Sequence, residues 1–279
     1  MAAQMITANG IEQCYEVSGV QGAPWVTLVH GSGDNHNMWW LQVPALAESF
    51  HILSYDVRGH GDTETPEDDS LSQMTFVDDL AALLDGLGIE RTALIGYSMG
   101  GGIVRNFAAT HPNRVWGAVI SNGGRLDPPP PANAEEAAAA QKMRDERIAG
   151  IRSGGMDFVF EGWREQVYTP EFREARPQIV EAHYAITTSN DPEKYVRVMA
   201  GMGGPSGVDV ANITSPTLIV VGAGDQYTGP EAANDLAAAM TGTQAGVEVF
   251  PTRHGTPFER HEEYNRTLLD FLNENTPTN

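Results

Sequence analysis

The sequence has one cysteine, only two lysines among its 17 basic residues, and no apolar run longer than a strand. Cys14 has no second thiol to pair with, so an intrachain disulfide framework is excluded and a reducing, cytoplasmic setting is expected. Runs such as 92–96 and 217–222 fall far short of the roughly 20 apolar residues that a bilayer-spanning helix needs. The start, Met1-Ala2-Ala3-Gln4-Met5, carries neither a basic stretch nor an apolar one, so no secretory leader is expected. Positive charge is scarce: 17 Lys and Arg face 37 Asp and Glu, for a formal net charge of −20. Such a surface repels phosphate backbones and anionic lipid alike, which argues against nucleic-acid and membrane partners. Solubility is the simplest reading of the acidity.

What the chain does contain is material for one large core. Its 279 residues are 41% hydrophobic and include 30 glycines, as in a packed globular protein. Asn9-Gly10 separates two short β-type segments and predicts a hairpin. Strand-like runs follow at 25–29, 51–55, 92–96 and 115–122. Helical spacing lies between them at 39–50, 76–87 and 100–111. Strands alternating with helices at this interval predict a mainly parallel sheet covered on both faces. The prolines between Asp127 and Pro131 break the alternation. Alanine- and charge-rich helical sequence then runs from Ala134 to about Val198, with interruptions expected at Gly154-Gly155, Pro170 and Pro177. Strand-helix alternation resumes at Thr217 and continues to a final helix beginning at His261.

Gly96-Tyr97-Ser98-Met99-Gly100 carries the chemistry. It follows an apolar strand and opens a helix, so Ser98 sits on a tight strand-to-helix turn with its hydroxyl exposed at the carboxyl end of the sheet. The Met99 amide, at the helix N-terminus, can point at a developing oxyanion. His30-Gly31-Ser32-Gly33, after the strand at 25–29, can present the Ser32 amide as a second donor. No metal is expected, because the histidines and carboxylates lack ligand spacing and one cysteine builds no thiolate site. No cofactor is expected either, since no Gly-x-Gly-x-x-Gly follows a first strand.

His30-Gly31, Asp56-Val57-Arg58-Gly59-His60-Gly61, the serine turn and the pattern from Thr217 onward together resemble the α/β-hydrolase family over most of the chain. The insertion alone finds no counterpart. The resemblance implies a mainly parallel eight-stranded sheet flanked by helices, with 1–124 and 209–279 as the core and 125–208 as a helical cap. It also implies a catalytic triad in the order serine, acid, histidine. Asp225, after the strand at 217–222, takes the acid's place; the earlier position used by some members offers no carboxylate before Asp127. For the base there are two candidates, His254 and His261, and the family's spacing to an acidic residue five positions on, Glu259, favours His254. His51, His111 and His183 read as surface or packing residues.

The serine sets the chain apart from the carboxylate-nucleophile dehalogenases and epoxide hydrolases. Short strings resemble 3-oxoadipate enol-lactonases, cofactor-free haloperoxidases and carbon–carbon bond hydrolases. The expected reaction is hydrolysis of a small carboxylic ester or lactone. Hydrolysis of a ring-fission diketone is the alternative, and a slow-turnover ligand receptor is a third possibility of another class. Trp39, Phe158, Trp163 and Tyr184 are the expected substrate-pocket residues. Phe160, Tyr168 and Met199 are further lid candidates, although their helical spacing equally fits packing. Arg144, Arg147, Arg152 and Arg164 are either solvated or available to a substrate carboxylate.

Overall fold

The computed structural model describes residues 2–66, 71–127, 131–201 and 205–277. Residues 128–130, three of the prolines that break the alternation, lie outside the described residues. Eight strands form one sheet: β1 Gln4–Ala8, β2 Ile11–Gly19, β3 Trp25–Val29, β4 His51–Tyr55, β5 Thr92–Tyr97, β6 Val115–Ser121, β7 Thr217–Gly222 and β8 Ala245–Phe250. Their order is β1-β2-β4-β3-β5-β6-β7-β8, and β2 alone runs against the rest. The β1–β2 hairpin closes on Asn9 and Gly10, both at positive φ, the turn that an Asn-Gly pair favours.

Side chains leave the strands alternately, and the two faces build two cores. Leu94, Ala118, Ile120, Ile219 and Val221 join one cluster with residues of α2 (Gln73–Gly86), α3 (Met99–Thr110) and α8 (Pro230–Ala239). Ala93, Ile95, Val119 and Val220 join the other, with α1 (Val43–Leu46) and α10 (His261–Asn275). Period-two burial on both faces is the signature of a sheet covered on each side. The helical expectation at 39–50 needs correction. A 3-10 turn at His36–Trp39 and the single turn of α1 occupy that stretch. Pro44 lacks the N–H that would continue a preceding helix, so the segment restarts there.

Between β6 and β7 the described chain is helical: α4 Ala134–Val167, α5 Pro170–Ala175, α6 Pro177–Thr188 and α7 Pro192–Gly201. Asn133 caps α4 by accepting from the Glu136 amide, while Thr169 caps α5 ahead of Pro170. Gly155, at φ 64°, interrupts the long α4 where the Gly154-Gly155 pair predicts a break. No described helix is long and apolar enough to cross a membrane.

The ends of this insertion meet at one point. Arg105 on α3 bonds Asp127 at 2.6 Å, and Asp127 accepts from the Ser206 amide and hydroxyl at 2.6 and 2.8 Å. The helices therefore leave and rejoin the sheet domain beside the middle of α3. A short helix, α9 (Thr256–Glu259), precedes α10.

Candidate active site

Strand order reverses at β3, whose neighbours β4 and β5 are reached in opposite directions. In open α/β sheets, sites form outside the carboxyl ends of strands at such a switch point. The loop after β3 carries Ser32, and the turn after β5 carries Ser98. Ser98 has φ 53° and ψ −114°, outside the ordinary regions for an L-residue. The turn is possible because its neighbours are glycines. A Cβ on Gly96 would meet the Gly100 carbonyl, and one on Gly100 would meet the Val29 carbonyl. Gly123 admits the Ser98 carbonyl in the same way. Strain of this kind persists only where the surroundings hold it, and it recurs at functional positions.

A continuous hydrogen-bonded chain leads away from the serine. His254 Nε2 lies 2.9 Å from Ser98 Oγ, and His254 Nδ1 lies 2.9 Å from Asp225 Oδ2. Asp225 Oδ2 also accepts from Asn122 Nδ2 and the Thr228 hydroxyl, at 2.9 and 3.0 Å. Its Oδ1 accepts from the Tyr227 and Thr228 amides at 2.8 and 3.1 Å. Burial opposes the charge, but the His254 imidazole, the Asn122 amide and the Thr228 backbone outweigh it and hold the carboxyl well below the usual aspartate range. His261, the other candidate base, starts α10 with its ring against the Phe258 carbonyl and does not line the cavity beside Ser98.

That cavity measures about 410 Å³, within the range of small-molecule sites. Ser32, Ser98, Met99, His254 and Trp163 border it. The Met99 amide stands in the first turn of α3, where no intrahelical acceptor exists. The Ser32 hydroxyl is turned toward the Tyr195 hydroxyl, 2.8 Å away. Three expected pocket residues lie elsewhere. Trp39 is fully buried in the core with Val26, Leu28 and Phe258. Phe158 is 44% exposed, and Tyr184 is exposed with its hydroxyl on Asp157. Helical spacing marked them as apolar or aromatic without fixing which way their helix faces turn.

Sequence comparison finds known proteins similar over most of the chain. The non-heme chloroperoxidase CPO-A1 of Kitasatospora aureofaciens is 30% identical over 287 residues, covering 96% of this chain and 98% of that protein. Residues 24–149 match the profile of the alpha/beta hydrolase fold. The chain belongs to the α/β-hydrolase family. Among solved structures, an enol-lactonase from Burkholderia xenovorans LB400 superposes with TM-score 0.84 at 26% identity, covering 97% of this chain and 100% of that one. A thermophilic esterase from Thermogutta terrifontis gives TM-score 0.85 at 25% identity, covering 99% and 100%. Another match, an uncharacterized hydrolase of Saccharomyces cerevisiae, is 35% identical over 119 residues and spans 43% of this chain and only 41% of that protein.

Several wall residues of this α/β-hydrolase carry no sequence signal. Asp34 and His183 both border the cavity, joined at 2.6 Å, and the His183 ring continues to the Tyr168 hydroxyl at 2.5 Å. Of the two readings of His183, surface or packing, packing holds: the residue is buried and bridges α6 to the loop after β3. The two partners are 149 positions apart, and nothing local to either predicts the meeting. Tyr97 and Tyr227 flank the base, with ring centres 5.4 and 5.0 Å from that of His254. Among the described residues one trio, Cys14, His36 and Asp56, places potential metal-ligand atoms within 4.8 Å of one another. Its chemistry is structural. Burial, then Asp56, pushes the Cys14 thiol up to about 12, and Asp56 is already engaged by the His36 ring and the His36 and Asp62 amides.

Two further histidines brace the loops that border the site. His30 donates from Nδ1 to the Gly31 carbonyl and accepts the Val57 N–H at Nε2. His60 donates to the Arg58 carbonyl and accepts the Gly33 N–H at 3.0 Å. Each accepts a backbone proton and so must stay neutral. Burial, then the neighbouring His30, pushes His60 down to about 3. An unfolded histidine takes up its proton near pH 6.5, so between about 6.5 and 3 the unfolded chain binds more protons than the native one. Stability from this site is complete above that window and falls as pH falls through it, by up to about 1.4 kcal/mol per unit. Denaturant midpoints measured from neutral to acid pH should show a shallower slope in His60→Gln than in the wild type. Parallel slopes would remove His60 from this role.

Proposed function

We propose that the chain is a serine hydrolase that cleaves a carboxylic ester or lactone of a small molecule through an acyl-enzyme. The observation that carries this is the unbroken Ser98–His254–Asp225 chain, with both links at 2.9 Å, on the wall of a cavity of substrate size. His254 Nε2 takes the Ser98 proton as Oγ attacks the acyl carbon, and Asp225 holds the Nδ1–H tautomer and stabilises the imidazolium. The Ser32 and Met99 amides receive the oxyanion. Collapse expels the alkoxide, protonated by His254, and a water activated by the same imidazole releases the acid and regenerates the serine. Residues 125–208 act as a cap over the nucleophile, with Trp163 among its contacts to substrate. The likeness to an enol-lactonase and an esterase supports the substrate class. The lone buried cysteine fits a reducing, cytoplasmic location.

The test is turnover of p-nitrophenyl acetate and butyrate beside a panel of lactones and a vinylogous 1,5-diketone. A fluorophosphonate probe with peptide mass mapping reads the nucleophile. Ester or lactone turnover with the label on Ser98 is expected. A diketone preferred over every ester and lactone shifts the reading to carbon–carbon hydrolysis. Stoichiometric labelling with turnover slower than ligand release indicates a receptor. A label elsewhere, or none, overturns the assignment.

A further inference from the structure

We infer that the substrate carries a free carboxylate in addition to its scissile ester or lactone, and that Arg147 and Arg125 receive it. This rests on the hydrolase reading above and narrows it to half esters of dicarboxylic acids and carboxylated lactones.

The argument begins with charge. In a chain with 37 acidic and 17 basic residues, an arginine without an acidic partner is unexpected. Three arginines of the helical insertion do find one: Arg152 pairs with Glu193, Arg164 with Glu161 and Arg173 with Glu165. Arg147 and Arg125 do not, among the described residues, and both border the cavity that contains Ser98. Among the described residues the acids on that wall are Asp34 and Asp127, and both are engaged. Asp34 bonds His183 at 2.6 Å, and Asp127 is shared between Arg105 and Ser206. Both arginines are exposed, and at the mouth of the cavity they leave two guanidinium groups that no acid among the described residues compensates.

Position agrees with charge. Arg147 Nη2 lies 3.5 Å from the Tyr195 hydroxyl, which meets the Ser32 hydroxyl at 2.8 Å. A polar path thus runs from Arg147 on α4 to the loop beside the nucleophile. Burial raises the Tyr227 phenol and the Arg147 charge pulls it back, so Arg147 also acts on the ring that flanks His254. Arg125 is held from the other side: its carbonyl accepts from Arg105 at 2.5 Å and its amide bonds the Gly123 carbonyl at 3.1 Å. Arginine's planar fork suits a carboxylate, and such charge-assisted bonds are among the stronger ones available. A neutral ester of the same length would leave both cations without an anion.

The experiment compares kcat/KM for monomethyl glutarate with that for dimethyl glutarate, and measures inhibition of p-nitrophenyl butyrate hydrolysis by glutarate. The wild type should favour the half ester, and glutarate should inhibit competitively. Arg147→Gln and Arg125→Gln should each lower the half-ester to diester ratio about tenfold and raise the glutarate inhibition constant by about as much, effects of the size a lost charged hydrogen bond gives. The shift should sit mainly in KM, and added salt should weaken the preference. Arg152→Gln, which changes an arginine on the same helix already paired with Glu193, should leave both readings at wild-type values. A wild type that shows no half-ester preference and no glutarate inhibition overturns the carboxylate site, as do arginine variants with unchanged ratios. Ser98-dependent turnover of p-nitrophenyl butyrate in the same experiment keeps the hydrolase reading standing; turnover unaffected by Ser98→Ala removes that reading instead.

Discussion

Replacing Ser98 by alanine is expected to lower kcat on p-nitrophenyl butyrate by about 10⁴-fold or more, with little change in thermal stability. The first expectation follows from what Oγ does. It is the atom placed 2.9 Å from His254 Nε2, and no other hydroxyl stands in that position. Without it the remaining machinery offers only ester binding and oxyanion donors, which together give a small residue of the full acceleration. The second expectation follows from what Oγ does not do. The strained φ of 53° is enforced by backbone packing against Gly96, Gly100 and Gly123, not by the hydroxyl. Alanine keeps the Cβ and the turn. The variant should therefore bind ester without turning it over, and the fluorophosphonate label should disappear. Activity within tenfold of wild type in Ser98→Ala would end the nucleophile assignment, because no neighbouring group could replace it.

The serine turn was legible because it depends on local chemistry, whereas Asp225 and His254 were reached through the family resemblance. A serine between glycines at a strand-helix junction is a backbone requirement written in consecutive residues. The inner strands were legible for a related reason, since burial on both faces leaves short continuous apolar runs such as Leu218-Ile219-Val220-Val221. The helices between β6 and β7 were legible as helices, and the break at Gly154-Gly155 with them. Which residues face the substrate was not. Trp39 is aromatic and close in sequence to the loop after β3, yet a 3-10 turn delivers it into the core. Phe158 and Trp163 share α4, but only Trp163 reaches the cavity. Tyr195, Arg147 and His183 reach it from three separate helices, a tertiary arrangement without local trace. The resemblance used for the triad could not help here, because the insertion was the part that matched nothing.

The wall that results has a division of labour that packing makes visible. Elements after β3, β5, β7 and β8 supply the proposed reacting groups, all anchored in the sheet. The inserted helices supply Arg147, Trp163, His183 and Tyr195, which close the space above. Changes in the first set should act on kcat for every substrate; changes in the second should act on the choice between substrates. That separation is why the arginine variants are judged by a ratio and the triad variants by an absolute rate.

Asp225→Asn provides the second large effect, and the hydrogen bonds around it specify how. Oδ1 accepts two backbone N–H groups, from Tyr227 and Thr228, so the side-chain oxygen of the substituted amide must stay there. Its NH₂ then occupies the Oδ2 position and faces His254 Nδ1. An N–H pointing at Nδ1 requires that nitrogen to be the acceptor, which moves the imidazole proton to Nε2. His254 would then donate to Ser98 instead of accepting from it, and could not take the serine proton. The Asn122 amide also donates to Oδ2 in the wild type, while its Oδ1 is buried without a partner among the described residues. A simple flip of Asn122 would bring that oxygen toward the new NH₂ and relieve the conflict between donors. The fold is thus expected to survive while the tautomer does not. We expect kcat near neutral pH to fall by about 10⁴-fold, with the protein still folded by circular dichroism and still able to bind glutarate. Asp225→Glu, which keeps the carboxylate but lengthens the reach, should lose less. If Asp225→Asn instead retained activity within tenfold of the wild type, orientation of His254 would have to come from another group, and the acid's role would pass from Asp225.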